Sequence, residues 1–278
     1  MPSSCILVVY DPTTDAQPAL ARAAALAQSA LKSGTDITLH VYSCIYAKLP
    51  TSGGKLAKKA ELIAAQKEIV AATIAELVDT QIPVVIEVEW EKDWYQAIVK
   101  AADRIGAAAV FKSSHKRSAT RRLLQNTSDR VLLRECACPV VLVKSGSTTT
   151  SPDHIILAAV QFRGEAGAYD DLNQRIVAFC QQLFNLTSVE VHFVNAYTEL
   201  SNRPDTGELI RACGVPNDQV HIEMGETGDV IVETARRLGA STVVIGNSAR
   251  DGFAAVVHTN TAEMILDKLD CNLLAMPG

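Results

Sequence analysis

One pattern of residues occurs twice in this chain of 278, at a constant spacing of 133. Gly106-Ala107 falls on Gly239-Ala240, Val110 on Val243, Arg117 on Arg250 and Cys138 on Cys271, with no gap needed. A period of that length is a duplicated domain rather than a solenoid repeat. Each copy reads as an amphipathic helix (96–104; 229–237), a glycine, an apolar strand (107–112; 241–245), a polar loop, a helix and a final strand (139–143; 272–276). Upstream, each copy opens on a short apolar run (6–10; 155–160), then helical periodicity (19–31; 172–183), then a second strand (37–44; 189–197). Strands alternating with helices predict βα units and a mainly parallel sheet, whose buried strands read as continuous apolar runs. The first copy adds an Ala-rich helix over 56–78. The matching interval of the second, 200–217, is shorter and carries three breakers, Pro204, Gly207 and Gly214, so the second domain is trimmed there. Between the copies, Ser145-Gly-Ser-Thr-Thr-Thr-Ser-Pro152 has no apolar side chain and reads as the linker. The predicted domains are 1–145 and 153–278.

Composition supports two cores and excludes several classes. With 48% hydrophobic and 21% charged residues and a mean hydropathy of +0.12, the chain is ordinary globular material. No apolar run approaches the ~18–20 residues of a membrane helix, and residues 1–10 do not read as a signal peptide. Seven cysteines form no regular framework, which predicts reduced thiols and a cytoplasmic location. The net charge of −5 is unevenly divided: residues 1–144 hold 18 basic against 14 acidic side chains, and the remainder 8 against 17. An acidic chain with a pI near 5.7 is not a nucleic-acid binder.

In an open α/β sheet, ligands bind beyond the carboxyl ends of the strands. That points to three predicted loops per copy: 11–15 and 161–163, 43–45 and 195–197, 113–127 and 246–260. Catalytic signals are poor there. The six histidines are scattered without metal-ligand spacing. His40 and His192 occupy corresponding second strands and read as core or sheet-edge residues. His115 and His258 lie in the late loops as pocket candidates. Cys136-x-Cys138 is not the spacing of a zinc or thioredoxin pair and reads as buried structural thiols. Asp93-Trp94-Tyr95 offers either a stacking surface or packing aromatics. No acid/base pair, catalytic triad or P-loop is present, so neither catalytic nor metal-binding residues are assigned.

A strand ending in Asp11, together with the block Val243-Val-Ile-Gly246-Asn-Ser…Gly252…Thr259-Asn-Thr-Ala-Glu263 before an apolar helix and Cys271, resembles the universal stress protein superfamily. The likeness spans both copies. The doubled form, with Asp11-Pro…Asp15-Ala-Gln-Pro-Ala-Leu20 and Asn260-Thr-Ala-Glu263, is similar to its tandem E-type branch. The resemblance implies an α/β fold of two tandem domains of the adenine nucleotide alpha hydrolase-like kind. Each would be a five-stranded, mainly parallel sheet in order 3-2-1-4-5 with helices on both faces, the two related by a pseudo-twofold axis. Nucleotide-binding members carry Gly-x2-Gly-x9-Gly-[Ser/Thr] after the fourth strand, where glycines let the backbone approach phosphate. In the first copy those positions are Ser113, Lys116, Asn126 and Thr127, so only the terminal hydroxyl remains. In the second they are Gly246, Ala249, Thr259 and Asn260, so one glycine of three remains. Asn247, Ser248 and Thr261 complete that loop. The family's adenine-contacting acid matches Asp11 in the first copy and is Gln161 in the second.

Losing two or three charge-assisted phosphate contacts costs roughly 3–6 kcal/mol, about 10²–10⁴ in affinity. In the first copy, Lys112, Lys116, Arg117, Arg121 and Arg122 cluster where phosphate would sit; they are either a replacement anion site or a solvated basic loop. In the second, Phe253-Ala-Ala-Val-Val257 makes the loop apolar. The implied function is a cytoplasmic stress-response protein acting through ligand or partner binding rather than catalysis, without strong ATP binding and with no required cofactor. The alternatives are an ATP/ADP sensor with a side-chain phosphate site, and a binder of an apolar small molecule. The implied partners are proteins the sequence does not name, with domain pairing inside one chain, an optional homodimer, no nucleic acid and no membrane span.

Overall fold

The short apolar runs become parallel strands, and the periodic stretches between them become the helices that cover the sheets. In a computed structural model of the chain, the structure describes residues 4–49, 55–115, 128–145, 155–162, 170–186, 189–247 and 261–278. They form two compact units, divided after Ser145.

The first unit runs β1 (Ser4–Tyr10), α1 (Pro18–Lys32), β2 (Ile37–Ile45), α2 (Lys55–Leu77), β3 (Val84–Trp90), α3 (Trp94–Ile105), β4 (Ala109–Ser114), α4 (Ser128–Glu135) and β5 (Val140–Lys144). Its strands are all parallel, in the order β3-β2-β1-β4-β5. The central strand β1 buries every residue from Ile6 to Tyr10. Side chains on β4 alternate between faces: Ser113 meets α1, while Lys112 meets α3 and α4. Helix α1 lies close on the sheet because its buried face is nearly all alanine: Ala19, Ala23, Ala24 and Ala27 beside Leu20.

The second unit runs β6 (Ile155–Ala159), α5 (Asp170–Leu186), β7 (Glu190–Tyr197), α6 (Thr206–Cys213), β8 (Val220–Met224), α7 (Thr227–Leu238), β9 (Thr242–Asn247), α8 (Thr261–Leu266) and β10 (Asn272–Pro277), with a 3-10 turn at Asn217–Gln219 before β8. Its strands are also all parallel, in the order β8-β7-β6-β9-β10. Each unit therefore has order 3-2-1-4-5. The repeat of 133 is kept in three dimensions: α3 and α7, β4 and β9, and the first residues of α4 and α8 are all separated by that number. Gly106 and Gly239 end α3 and α7 in the left-handed conformation, at φ 60° and 64°, which glycine adopts without steric cost.

The trimmed interval of the second unit holds the eight-residue helix α6 where the first has the 23-residue α2. Asp205 caps α6 by accepting from Glu208 N at 2.8 Å, and Gly214 ends it at φ 67°. Several strands run further than the sequence suggests. Ile45 belongs to β2, and Ser113, Ser114, Gly246 and Asn247 belong to β4 and β9. Ladder pairing with neighbouring strands holds them: Ile45 lies opposite Trp90 of β3, Ser113 opposite Val143 of β5, and Gly246 opposite Met276 of β10. Among the described residues, no helix is long and apolar enough to cross a membrane.

Candidate ligand site at the strand tips

At the tip of β1 the chain turns before α1, and one side chain clamps that turn. Asp11 N donates to Gln17 Oε1 at 3.0 Å, while Gln17 Nε2 donates to the carbonyls of Asp11 and Thr14, each at 2.7 Å. Gln17 is the residue before the first helical turn and is buried. Held this way, Asp11 turns its carboxylate to Thr13, whose N–H and hydroxyl both donate to Oδ1 at 2.9 and 2.6 Å. It thus closes a turn on Thr13 and does not cap α1.

His115, just past the end of β4, reaches the other oxygen: its Nε2 lies 3.2 Å from Asp11 Oδ2, and its Nδ1 lies 3.0 Å from Ser145 Oγ. An ionised carboxylate only accepts, so Nε2 carries the proton, and in the neutral imidazole Nδ1 accepts from Ser145. Burial pushes the Asp11 carboxyl up, but the Thr13 bonds, His115 and the Lys112 charge outweigh it, and its pKa lies below the ordinary value of 3.8. Carboxylate, imidazole and hydroxyl thus stand in series across the tips of β1, β4 and β5. No sequence signal points to Ser145, whose surroundings read as linker.

Lys112, placed by the sequence reading in either a replacement anion site or a solvated basic loop, is neither: it is buried with its amine tied inward. Its Nζ lies 2.8 Å from Asp129 Oδ1 and 2.9 Å from Ser113 O, and Ser114 Oγ donates to Asp129 Oδ2 at 3.0 Å. It also lies 5.8 Å from the Trp94 ring centroid. A charge taken out of water must be paired, so this lysine serves Asp129 and is not displayed to an anion. Trp94 and Tyr95 pack edge to face, with Trp94 39% exposed. Ser113, at the first glycine position of the nucleotide pattern, accepts from Ala19 N at 3.3 Å. It thereby satisfies an N–H of the first turn of α1 that would otherwise lack a partner.

The second unit repeats the clamp with different residues. Gln161 N donates to Asn173 Oδ1 at 3.1 Å, and Asn173 Nδ2 donates to Gln161 O at 2.8 Å. Phe162 N donates to Asn195 Oδ1 at 2.7 Å. Gly246 has ordinary backbone geometry, but a Cβ there would meet Leu172 Cδ2 at 2.5 Å and Ile176 Cδ1 at 3.3 Å. Those side chains belong to the apolar core under α5, with Val244, Val160 and Phe193. Gly246 is therefore required by the approach of α5. Asn247 is buried, its carbonyl accepting from Gly278 N at 2.8 Å, and Thr261 begins α8.

The structure thus brings Asp11 and His115 together at one set of strand tips, with Ser113 on the α1 face of β4, and places Gly246, Asn247 and Thr261 in the second unit. Lys116, Arg117, Arg121, Arg122, Asn126, Thr127, Ser248, Ala249, the 253–257 stretch, His258, Thr259 and Asn260 lie outside the described residues. Cys136 is buried, and its thiol is pushed up to about 12 by burial first and then by Cys138, Asp103 and Glu135. Cys138 and Cys271 are only half-buried, less enclosed than the sequence reading expects, because each sits at the entry to its strand. Among the described residues, no group of three His, Cys, Asp or Glu side chains could hold a metal ion.

The sequence model described as "Universal stress protein family" matches residues 4–144 and 189–277. Universal stress protein E of Escherichia coli K12 is 26% identical over 98% of this chain and 93% of its own length. The universal stress protein E homolog of Haemophilus influenzae is 28% identical over 98% and 96%. The crystal structure of a universal stress protein from Archaeoglobus fulgidus superposes with a TM-score of 0.69 over 98% of this chain and 96% of that one, at 14% identity, a likeness of fold.

Proposed function

As the chain belongs to the universal stress protein family, whose role is in the stress response, we propose that it acts by binding a partner or ligand and not by catalysis, and that its adenine-nucleotide binding is weak or absent. The observation that carries this reading is Gly246. The one glycine retained from the nucleotide pattern is accounted for by Leu172 lying where its Cβ would be. The first unit supports the same reading. Ser113 replaces the corresponding glycine and is bonded to α1, Lys112 is spent on Asp129, and both oxygens of Asp11 are already engaged.

The test is a thermal-shift and calorimetric titration of the full chain with ATP, ADP and AMP, with and without Mg²⁺. The expected result is no saturable heat and no change in Tm at millimolar nucleotide, since a ligand at 100 times its Kd would add about 2.7 kcal/mol. Saturable binding overturns the reading in favour of an ATP/ADP sensor. One observation favours that alternative enough to design for it: the Asp11 carboxylate is held ionised at the strand tips, and its contact to His115 is long. His115→Ala frees Asp11 Oδ2, so an enhanced nucleotide response in that variant, lost on adding Asp11→Ala, locates the sensor in the first unit.

A further inference from the structure

Away from the strand tips, three polar side chains of the second unit form a chain. Glu190 and His192 are two residues apart on β7 and share a face, and His221 lies on β8 beside them. Glu190 Oε1 is 2.9 Å from His192 Nε2, and His192 Nδ1 is 2.9 Å from His221 Nε2. The ring centroids are 5.2 Å apart and the planes 14° from parallel. The nitrogens are closer than the centroids by about two ring radii, so they face each other along the line of centres. The rings meet edge to edge through a hydrogen bond and are not stacked face to face.

That geometry limits the protons the pair can hold. The Glu190 carboxylate only accepts, so His192 Nε2 carries a proton. His192 Nδ1 and His221 Nε2 then share one proton between them. A second would set two N–H groups against each other at 2.9 Å. An ion does not fit either: Zn–N bonds of about 2.0–2.1 Å on each side need facing nitrogens much further apart on this line.

Charged groups surround the pair unevenly. Glu190 faces it from β7, Glu223 from β8, Asp218 from the 3-10 turn and Arg237 from α7, Arg237 being paired with Glu223 at 2.9 Å. Strand β6, on the other side of β7, carries only Ile155-Ile-Leu-Ala-Ala159. Burial first, then His192 and Arg237, hold the His221 imidazolium below its ordinary value of 6.5, with Glu223 and Asp218 opposing. The first unit differs at the equivalent place. His40 on β2 bonds Glu87 of β3 at 2.7 Å, and Glu87 also takes Arg104, the repeat counterpart of Arg237. Protonation there meets a carboxylate and no second imidazole.

We propose that Glu190, His192 and His221 form a proton-operated clasp: one proton between the rings ties β8, the outermost strand of the second unit, to β7, and a further proton breaks the ring-to-ring bond and loosens β8. Hydrogen exchange of the full chain between pH 7.5 and 5.0, corrected for intrinsic rate, tests this. An opening that admits one proton becomes more populated as pH falls below the unfolded histidine value, by about fivefold over the first pH unit and approaching tenfold per unit beyond it. Peptides covering 220–224 should therefore exchange about fivefold faster at pH 5.5 than at 6.5, and those covering 84–90 should not. His221→Gln cannot titrate, and its amide can donate to His192 Nδ1 or, flipped, accept from it, so its 220–224 exchange should be flat across that range. Equal pH dependence in His221→Gln and the native chain, or a flat native profile, overturns the proposal. Should that variant not fold, side-chain nitrogen NMR of the native chain decides: two coupled steps support the clasp, and two independent titrations near 6.5 refute it.

Discussion

The buried Lys112–Asp129 pair has a built-in control, because the duplication supplies the same two positions with other side chains. Lys112 corresponds to Ile245 and Asp129 to Ala262, all four buried. The fold therefore accepts an apolar pair where the first unit holds an ionic one. Replacing a buried ion pair by apolar residues is often neutral or stabilising, whereas removing one partner strands a charge and costs about 3–5 kcal/mol. Asp129→Ala alone should lower the denaturant midpoint sharply, and Lys112→Ile added to it should restore most of the loss. If the double variant is as unstable as the single, the pair does more than satisfy itself. Gly246 makes a second residue-scale case. Gly246→Ala forces Leu172 and Ile176 aside, an overpacking that costs about 1–3 kcal/mol. Urea unfolding that leaves the variant at native stability would show that the space is free and return Gly246 to the ligand-site reading.

At the scale of elements, the two helix-ending glycines separate conformation from packing. A Cβ at Gly106 or Gly239 would meet nothing within 4 Å, yet both hold positive φ. Alanine at either should cost about 1–2 kcal/mol through the left-handed backbone alone, and equally in the two units. Unequal losses in denaturant melts would mean the caps differ in more than φ. These caps and the helices they end were legible in the sequence, because period and glycine placement are local signals; the strand order followed only from the family resemblance. Strand ends were not legible: Ser113, Gly246 and Asn247 look like loop residues by type, and only pairing with a neighbouring strand keeps them extended. The site was legible in part. Asp11 and His115 stood out, but the Ser145 contact spans 30 residues and sits on a segment whose composition says linker. The His192–His221 bond joins two strands through side chains 29 apart, and no spacing rule announces it.

For the molecule as a whole, duplication from one ancestral pattern has left two units whose acid responses differ in kind. In both, the relevant pKa lies below its unfolded value, so the unfolded chain takes up protons first on acidification and stability falls with pH. The windows do not coincide. His221 contributes fully above about pH 6.5 and its contribution is lost as pH falls through the lower folded value. Asp11 contributes fully above about pH 3.8 and loses its share only below that, again as pH falls through its folded value. The second unit should therefore weaken first. Limited proteolysis of the full chain across pH 7.5 to 3, with the protease chosen for activity at each step, should yield cuts within 155–278 below about pH 6.5 and cuts within 4–115 only near pH 4 and lower. His221→Gln should move the first set of cuts to lower pH without moving the second. Simultaneous cutting of both units at every pH would mean that they unfold as one cooperative body, and that the two titrations are not separable in the intact chain.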